Sequence, residues 1–221
     1  MEIDYCVFPD DLLYDLENNT WIRVEENGDV TVGVTSLLPA IAGKLNLARL
    51  KPVGAHIQRG QSLGTLENQK FVGPIPSPVS GTLLAANSLV TDRPRVINDS
   101  PYEEGWIARL KPSHLMLERI LLSKASESKT LLAQKIKEFH VRCFKAFPDY
   151  EMSEIGTECS AVLLRLNDLL ATASIGEVVH LVSDDTTAYV EMVVWAEKTG
   201  QSLVDWRKEG NLFHFVVRKV H

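Results

Sequence analysis

The hydrophobic pattern of the chain changes near Pro112. Before that residue, short apolar runs alternate with polar positions, and glycines recur between them. The stretch TWIRVEENGDVTVGVT has alternating apolar residues on both sides of Asn27-Gly28, a pair that predicts a β-hairpin. Short strands separated by turn residues predict a compact mostly-β sandwich or barrel. One short helix is expected within TSLLPAIAGKL, ending at Gly43.

After Pro112 the apolar period becomes helical. SHLMLERILLS predicts a helix that is capped by Ser113. SESKTLLAQKIKEFHVRCFKAF has apolar residues at every third or fourth position and predicts a second helix, which Pro148 ends.

From Asp149 the pattern starts again as a separate set of elements. YEMSEIG and EVVHLVS predict strands, and each is followed by an amphipathic helix. QSLVDWRKEGNLFHFVVRKV predicts two further strands around KEGN. The order β-α-β-α-β-β predicts a small two-layer α+β domain. We therefore expect two domains, a mostly-β domain with C-terminal helices over residues 1–147 and the α+β domain over residues 148–221.

Composition and charge narrow the classes of protein that fit. The 221 residues are 45% hydrophobic and 24% charged, with a net charge of −6, which is ordinary for a globular protein and argues against nucleic acid as a partner. The acidic N-terminus does not resemble a signal peptide, and no apolar run is long enough for a membrane span. We expect a soluble, cytoplasmic protein with no membrane partner.

The cysteines favour a reducing compartment. There are three, at positions 6, 143 and 159, and their odd number and wide spacing argue against a disulfide framework. No CxxC, HExxH or clustered Cys/His pattern is present, so no metal site is expected.

A single lysine stands out in the first domain. Lys70 lies in LENQKFVGPIPSPVSG, between apolar runs and among prolines and glycines that restrict a hairpin. A carrier protein needs its attachment amine at the tip of a rigid turn, clear of the body of the domain. The alternative interpretation is an exposed lysine on an ordinary hairpin.

Four stretches in and around this segment resemble one family in order and spacing: TWIRVEENGDVTVGVT, VGAHIQRGQSLGTLENQK, SPVSGTLLAAN and NDSPYEEGWIARLKPS. Residues 9–145 resemble the H-protein family of the glycine cleavage system, which belongs to the biotinyl/lipoyl domains. The resemblance implies that Lys70 carries covalent lipoate, and that Glu67 and Gly54 take part in recognition by a lipoate ligase. Asn68 and Gln69 stand where the family usually has Ser and Val, and Phe71 stands where it has a small residue. These differences bear on ligase recognition and on partner docking.

The same resemblance implies three enzyme partners. The chain would accept an aminomethyl group from glycine decarboxylase, present it to the aminomethyltransferase, and be reoxidised by dihydrolipoamide dehydrogenase. On this interpretation the protein is a carrier and not an enzyme.

The second domain resembles the TusA/SirA-like sulfur carriers, which bear persulfide sulfur on a cysteine before the first helix. Cys159 occupies that position, while Gly176-Glu177 and Asp184-Asp185 match short motifs of the family. Ser160 and Val162 replace both prolines of the usual C-P-x-P segment. Cys159 is therefore either a persulfide carrier or a half-buried cysteine without chemistry.

Two alternatives to glycine catabolism stay open from the sequence. One is a lipoate-binding carrier of sulfur metabolism, in which Cys159 exchanges sulfur with the lipoyl arm or with sulfur-transfer proteins. The other is a non-lipoylated interaction module built from two degenerate carrier folds.

Overall fold

Two units make up the chain in the computed structural model, which describes residues 1–221. The first unit is Met1–Cys143 and the second is Phe144–His221. The sequence pattern divides the chain four residues later, after residue 147. None of the helices is both long and apolar enough to span a lipid bilayer.

Strands form most of the first unit, as the alternating pattern predicts. In chain order the strands are β1 (Glu2–Ile3), β2 (Cys6–Val7), β3 (Leu13–Asp15), β4 (Thr20–Val24), β5 (Val30–Val34), β6 (Leu47–Leu50), β7 (His56–Ile57), β8 (Ser62–Glu67), β9 (Val72–Pro76), β10 (Gly81–Ala86) and β11 (Ala108–Pro112). They form a six-stranded sheet in the order β3-β4-β5-β11-β10-β7, a three-stranded sheet in the order β6-β8-β9, and the pair β1-β2. The predicted hairpin at Asn27-Gly28 is confirmed as β4 and β5, with Gly28 at a φ of 84°.

Short helices connect these strands and close the unit. They are α1 (Leu37–Ala42), α2 (Ser88–Asp92), α3 (Val96–Asp99), α4 (Leu115–Glu118) and α5 (Lys129–Glu138), with 3-10 turns at Arg119–Leu121 and Ser126–Ser128. The mostly-β sandwich with C-terminal helices is confirmed, and so is the helical insert that ends at Gly43.

Two apolar clusters hold the first unit together. The larger cluster contains inward-facing residues of both sheets, such as Ile22, Leu63 and Leu83. The second contains Trp21, whose ring lies against the backbone of Gly33 and whose indole N–H donates to the carbonyl of Val34 at 2.9 Å. A Cβ at Gly33 would lie 2.2 Å from that ring, so this position requires glycine.

The spacing of apolar residues predicts the wrong end for the last helix of this unit. The helix was expected to continue to Pro148, but α5 ends at Glu138. His140 adopts a left-handed φ of 51°, and the amide of Val141 donates to the carbonyl of Ile136 at 2.9 Å, a bond that ends a helix. Residues 139–143 then leave the helical path.

A disulfide corrects the expectation from the cysteine count. Cys6 and Cys143 are joined across a sequence separation of 137 residues, and Cys159 is the free cysteine. Cys6 is fully buried in the same cluster as Trp21. The odd number of cysteines and their wide spacing did not predict this bond. Cys6 and Cys143 are far apart in sequence and become neighbours only in the fold, where β2 lies next to the segment beyond α5.

The second unit confirms the predicted β-α-β-α-β-β order. Its elements are β12 (Tyr150–Glu154), α6 (Cys159–Thr172), β13 (Val178–Ser183), α7 (Ala188–Thr199), β14 (Ser202–Glu209) and β15 (Leu212–Arg218). The sheet order is β12-β13-β15-β14, with β12 and β13 parallel and the other pairs antiparallel. Both helices contribute to one cluster with one face of this sheet, and Val162, Leu166 and Leu170 of α6 are buried at helical spacing.

Two histidines lie together on the other face of this sheet. His180 and His214 stack with ring centroids 5.2 Å apart, and His180 Nε2 lies 3.0 Å from His214 Nδ1. The ring of Phe144 lies 4.5 Å from that of His180, and the guanidinium of Arg207 lies 4.4 Å from the Phe144 ring. The sequence assigned these histidines no shared role, because only the register of β13 and β15 places them side by side.

Candidate functional site

The turn between β8 and β9 carries the lysine that the sequence singles out. Glu67 and Val72 are the last cross-strand pair, and residues 68–71 form the connection. The amide of Asn68 donates to the carbonyl of Phe71 at 2.8 Å, which closes the turn. Gln69 and Lys70 are the exposed residues at its tip.

The side chain of Asn68 organises this turn. Its Oδ1 accepts hydrogen bonds from the backbone amides of Lys70 and Phe71, both at 2.8 Å. Its Nδ2 donates to the carbonyl of Ala42, the last residue of α1, at 2.7 Å. Asn side chains stabilise turns by such bonds to backbone amides two or three residues ahead. One side chain therefore both holds the turn and ties it to a helix.

An aromatic contact supports the same turn from the other side. Phe71 is half-buried and packs against the cluster between the two sheets. Its ring also covers the backbone of Gly73, where a Cβ would lie 2.4 Å from the ring. Asn68 and Phe71, two positions at which the chain differs from the usual family segment, thus both fix the turn.

The amine of Lys70 is available for chemistry. Its side chain is exposed, and its Nζ forms no hydrogen bond and no salt bridge within the protein. An amine at the tip of a fixed turn can reach the active site of an attaching enzyme without local unfolding. The residues present therefore fit an acyl group such as lipoate, attached through an amide.

The structure brings only one of the two suggested recognition residues to this turn. Glu67 ends β8, and its Oε1 accepts bonds from Arg49 and from the hydroxyl of Thr65, each at 3.2 Å. Gly54 instead follows the far end of β6, whose Leu50 pairs with Gly64. The φ of 88° at Gly54 explains why glycine is needed there.

Cys159 is the first residue of α6, as the resemblance implies for a sulfur carrier, but its thiol is shielded. The residue is 4% exposed, and its backbone amide donates to the carboxylate of Asp185 at 3.0 Å. Burial raises the pKa of Cys159 to about 12, with a further contribution from its hydrogen bond to Glu191. The thiolate is the nucleophilic form of cysteine. A pKa this high favours the protonated thiol over the nucleophilic thiolate at neutral pH.

The two short motifs of the second unit stabilise its fold. Asp184 accepts a hydrogen bond from the amide of Gly156 at 2.8 Å, in the loop that leads to α6. Asp185 accepts from the amide and the hydroxyl of Thr187, at the start of α7, and these bonds lower the pKa of its carboxyl group. Glu177 accepts from the hydroxyl of Tyr150 at 2.9 Å. These contacts give Glu177, Asp184 and Asp185 structural roles in the second unit.

Asn68 is the residue whose role the sequence analysis missed. The sequence treats it as a departure from the family segment, with no role of its own. A local signal was available, because an asparagine at the start of a tight turn commonly accepts hydrogen bonds from the backbone amides two or three residues ahead. The bond to Ala42 could not be foreseen, since residues 42 and 68 are distant in sequence and meet only in the fold.

A β-sandwich that holds one unpaired lysine amine on a fixed hairpin turn has the architecture of a carrier domain. The family model of the glycine cleavage H-protein matches residues 12–135, more than half of the chain. The chain belongs to this family, whose members carry lipoate on a lysine.

Individual relatives agree with this assignment. Glycine cleavage system H protein 2 of Aquifex aeolicus is 41% identical over 138 residues, which cover 62% of this chain and 86% of that protein. Probable glycine cleavage system H protein 2 of Sulfolobus acidocaldarius is 37% identical over 140 residues, 60% of this chain and 87% of that protein. The crystal structure of a glycine cleavage system H protein from Mycobacterium marinum superposes with a TM-score of 0.50 at 28% identity, covering 57% of this chain and 98% of that one.

The second unit matches a different family. The model of sulfurtransferase TusA matches residues 154–219. The chain is thus a fusion of an H-protein-like unit and a TusA-like unit.

Proposed function

We propose that the first unit is a lipoyl carrier, with lipoate attached to Nζ of Lys70, and that it shuttles the aminomethyl group derived from glycine between partner enzymes. The observation that carries the proposal is the exposed, unpaired Lys70 amine on a turn that Asn68 and Phe71 hold in place. Family membership supports the choice of lipoate over other acyl groups.

The geometry suits a tethered carrier. Lipoate on this amine would supply a disulfide that, once reduced, offers two thiols for group transfer. The sandwich contributes a rigid base, so that the attachment point keeps a fixed position relative to the surface that partners recognise. Tethering gives the attached group a high effective concentration at each docked partner.

The proposed partners follow from the family. They are a lipoate ligase for the attachment, and glycine decarboxylase, the aminomethyltransferase and dihydrolipoamide dehydrogenase for the cycle. The lysine side chain meets these enzymes in turn, and the chain itself catalyses no step.

Reconstitution tests this proposal. The full chain, lipoylated by a lipoate ligase, is incubated with glycine decarboxylase, pyridoxal phosphate and glycine, and its intact mass is followed. We expect glycine-dependent addition of an aminomethyl group, and no addition to the Lys70→Arg variant. The proposal is overturned if lipoylated protein gains no mass from glycine while a bona fide H protein does so in the same assay.

The TusA-like unit favours a second candidate, a lipoyl carrier that serves sulfur metabolism. The supporting observation is that a TusA match lies on the same chain as the lipoyl unit. Incubating the lipoylated protein, with its lipoyl group first reduced to the dithiol, with a sulfane sulfur donor separates the two candidates. Sulfur bound to the lipoyl group favours the sulfur pathway, and sulfur on Cys159 would make the second unit an active carrier. If the native protein carries no lipoyl group although its host has a working lipoate ligase, a non-lipoylated interaction module is supported.

A further inference from the structure

The turn that presents Lys70 depends on one polar side chain. Asn68 Oδ1 is the acceptor for two consecutive backbone amides, those of Lys70 and Phe71. These amides belong to Lys70, which is exposed at the tip together with Gln69, and to Phe71, the next residue. Without this acceptor the amides would have to bond to water, and the tip would sample other conformations. The direction of the Lys70 side chain would then vary.

The other end of the same amide group connects the turn to the body of the unit. Nδ2 donates to the carbonyl of Ala42, and the last carbonyls of a helix lack partners within the helix. The carboxamide thus joins two elements, since its oxygen accepts from the turn and its nitrogen donates to α1. Within the turn, Asn68 is the residue whose side chain accepts from these amides, while Gln69 and Lys70 are exposed and Phe71 is apolar.

We propose that Asn68 is the positioning residue of the carrier site, setting the direction of the Lys70 amine for the attaching enzyme through its Oδ1 contacts. The inference rests on the proposed function as far as lipoylation is concerned. Asn68 does not touch the reacting amine, and it acts by keeping the turn in the conformation that the ligase binds.

This role makes a specific kinetic prediction. If the ligase binds only the presented conformation, the apparent affinity falls in proportion to the fraction of molecules that hold it. Loss of two turn hydrogen bonds lowers that fraction on the order of tenfold. For the Asn68→Ala variant we expect KM of lipoyl transfer to rise on the order of tenfold. The kcat should stay within about twofold, because the bound turn is the same.

Two further variants separate positioning from general stability. Asn68→Ser keeps a short side-chain oxygen that can accept from the turn amides and places no carboxylate against the Ala42 carbonyl, so we expect its KM to lie closer to the wild-type value than that of Asn68→Ala. Gln69→Ala changes an exposed neighbour in the same turn and serves as the matched control. The thermal unfolding midpoints of all three variants should lie within a few degrees of the wild type, since the turn lies at the surface.

The experiment measures lipoyl transfer by purified lipoate ligase on the full chain and, on unmodified protein, hydrogen exchange of the Lys70 and Phe71 amides by NMR. We expect both amides to be protected in the wild type, to be partly protected in Asn68→Ser, and to exchange rapidly in Asn68→Ala. The inference is overturned if Asn68→Ala keeps this protection, if its KM is unchanged, or if Asn68→Ser is as impaired as Asn68→Ala. If the wild type accepts no lipoyl group, the proposed function fails, while the amide exchange still decides the role of Asn68.

Discussion

The disulfide between Cys6 and Cys143 should contribute a large share of the stability of the first unit. It closes a loop with a sequence separation of 137 residues, and it joins the first strand pair to the segment after the last helix of the unit. In the chain-entropy model, a loop of that length lowers the entropy of the unfolded state enough to stabilise the fold by about 5 kcal/mol. Native disulfides in practice contribute about 2–5 kcal/mol. We expect reduction to lower the free energy of unfolding of this unit by an amount in that range.

Denaturant unfolding followed by hydrogen exchange and mass spectrometry measures this effect, because peptides from each unit are read separately. Oxidised wild type is compared with reduced wild type and with a Cys6→Ala/Cys143→Ala variant. Cys159→Ala is the matched control, since it removes a cysteine without affecting the bond. Peptides of the second unit should be unaffected by reduction. The reasoning is refuted if oxidised and reduced protein differ by less than about 1 kcal/mol in the first unit, or if a non-reducing peptide map contains no peptide linked through Cys6 and Cys143.

Three further predictions concern the core, the free cysteine and a carboxylate. Gly33→Ala should destabilise the first unit by about 1–3 kcal/mol, because the added Cβ overlaps the Trp21 ring. An unchanged midpoint of thermal unfolding would contradict this packing. Cys159 should resist iodoacetamide at pH 8 until the protein is denatured. Because its pKa is raised from near 9 to about 12, its contribution to stability is present below pH 9 and is lost as the pH rises toward 12. Cys159→Ala should weaken that alkaline loss, and rapid alkylation of native protein would oppose the account. Asp185→Ala should cost about 1–2 kcal/mol, because it removes an acceptor for amides at the start of two helices. The pKa of Asp185 is lowered, so its carboxylate stabilises the fold at pH values above the ordinary aspartate pKa near 4, and this stabilisation is lost as the pH falls below it. If Asp185→Ala costs as much stability at pH 2 as at pH 7, the prediction is contradicted.

The sequence predicts the elements of this protein better than their ends. The hairpin around Asn27-Gly28 and the β-α-β-α-β-β order of the second unit follow from local periodicity and turn residues, and both are confirmed. The end of α5 does not follow from periodicity, because apolar residues continue at helical spacing beyond Glu138. There Val141 stays buried although the backbone has left the helix, while Phe139 is exposed, so the apolar pattern does not mark where the helix ends.

Features that depend on long-range contacts were not accessible from the sequence. The Cys6–Cys143 bond, the bond from Asn68 to Ala42 and the His180–His214 pair each join residues that are far apart along the chain. Lys70 was identified because the family resemblance and the local Gly/Pro pattern both lie in a short stretch. Its exposure and its lack of a partner needed the fold, since a lysine in a turn is equally able to form an ion pair.

The central claim is that the amine of Lys70 bears the lipoyl group. The most direct measurement is tandem mass spectrometry of peptides from the native full-length protein, purified from cells that contain a lipoate ligase. The account predicts one lipoyl modification, located on Lys70, and none on any other lysine or on the Lys70→Arg variant. An unmodified Lys70, or a lipoyl group found on a different lysine, would contradict it.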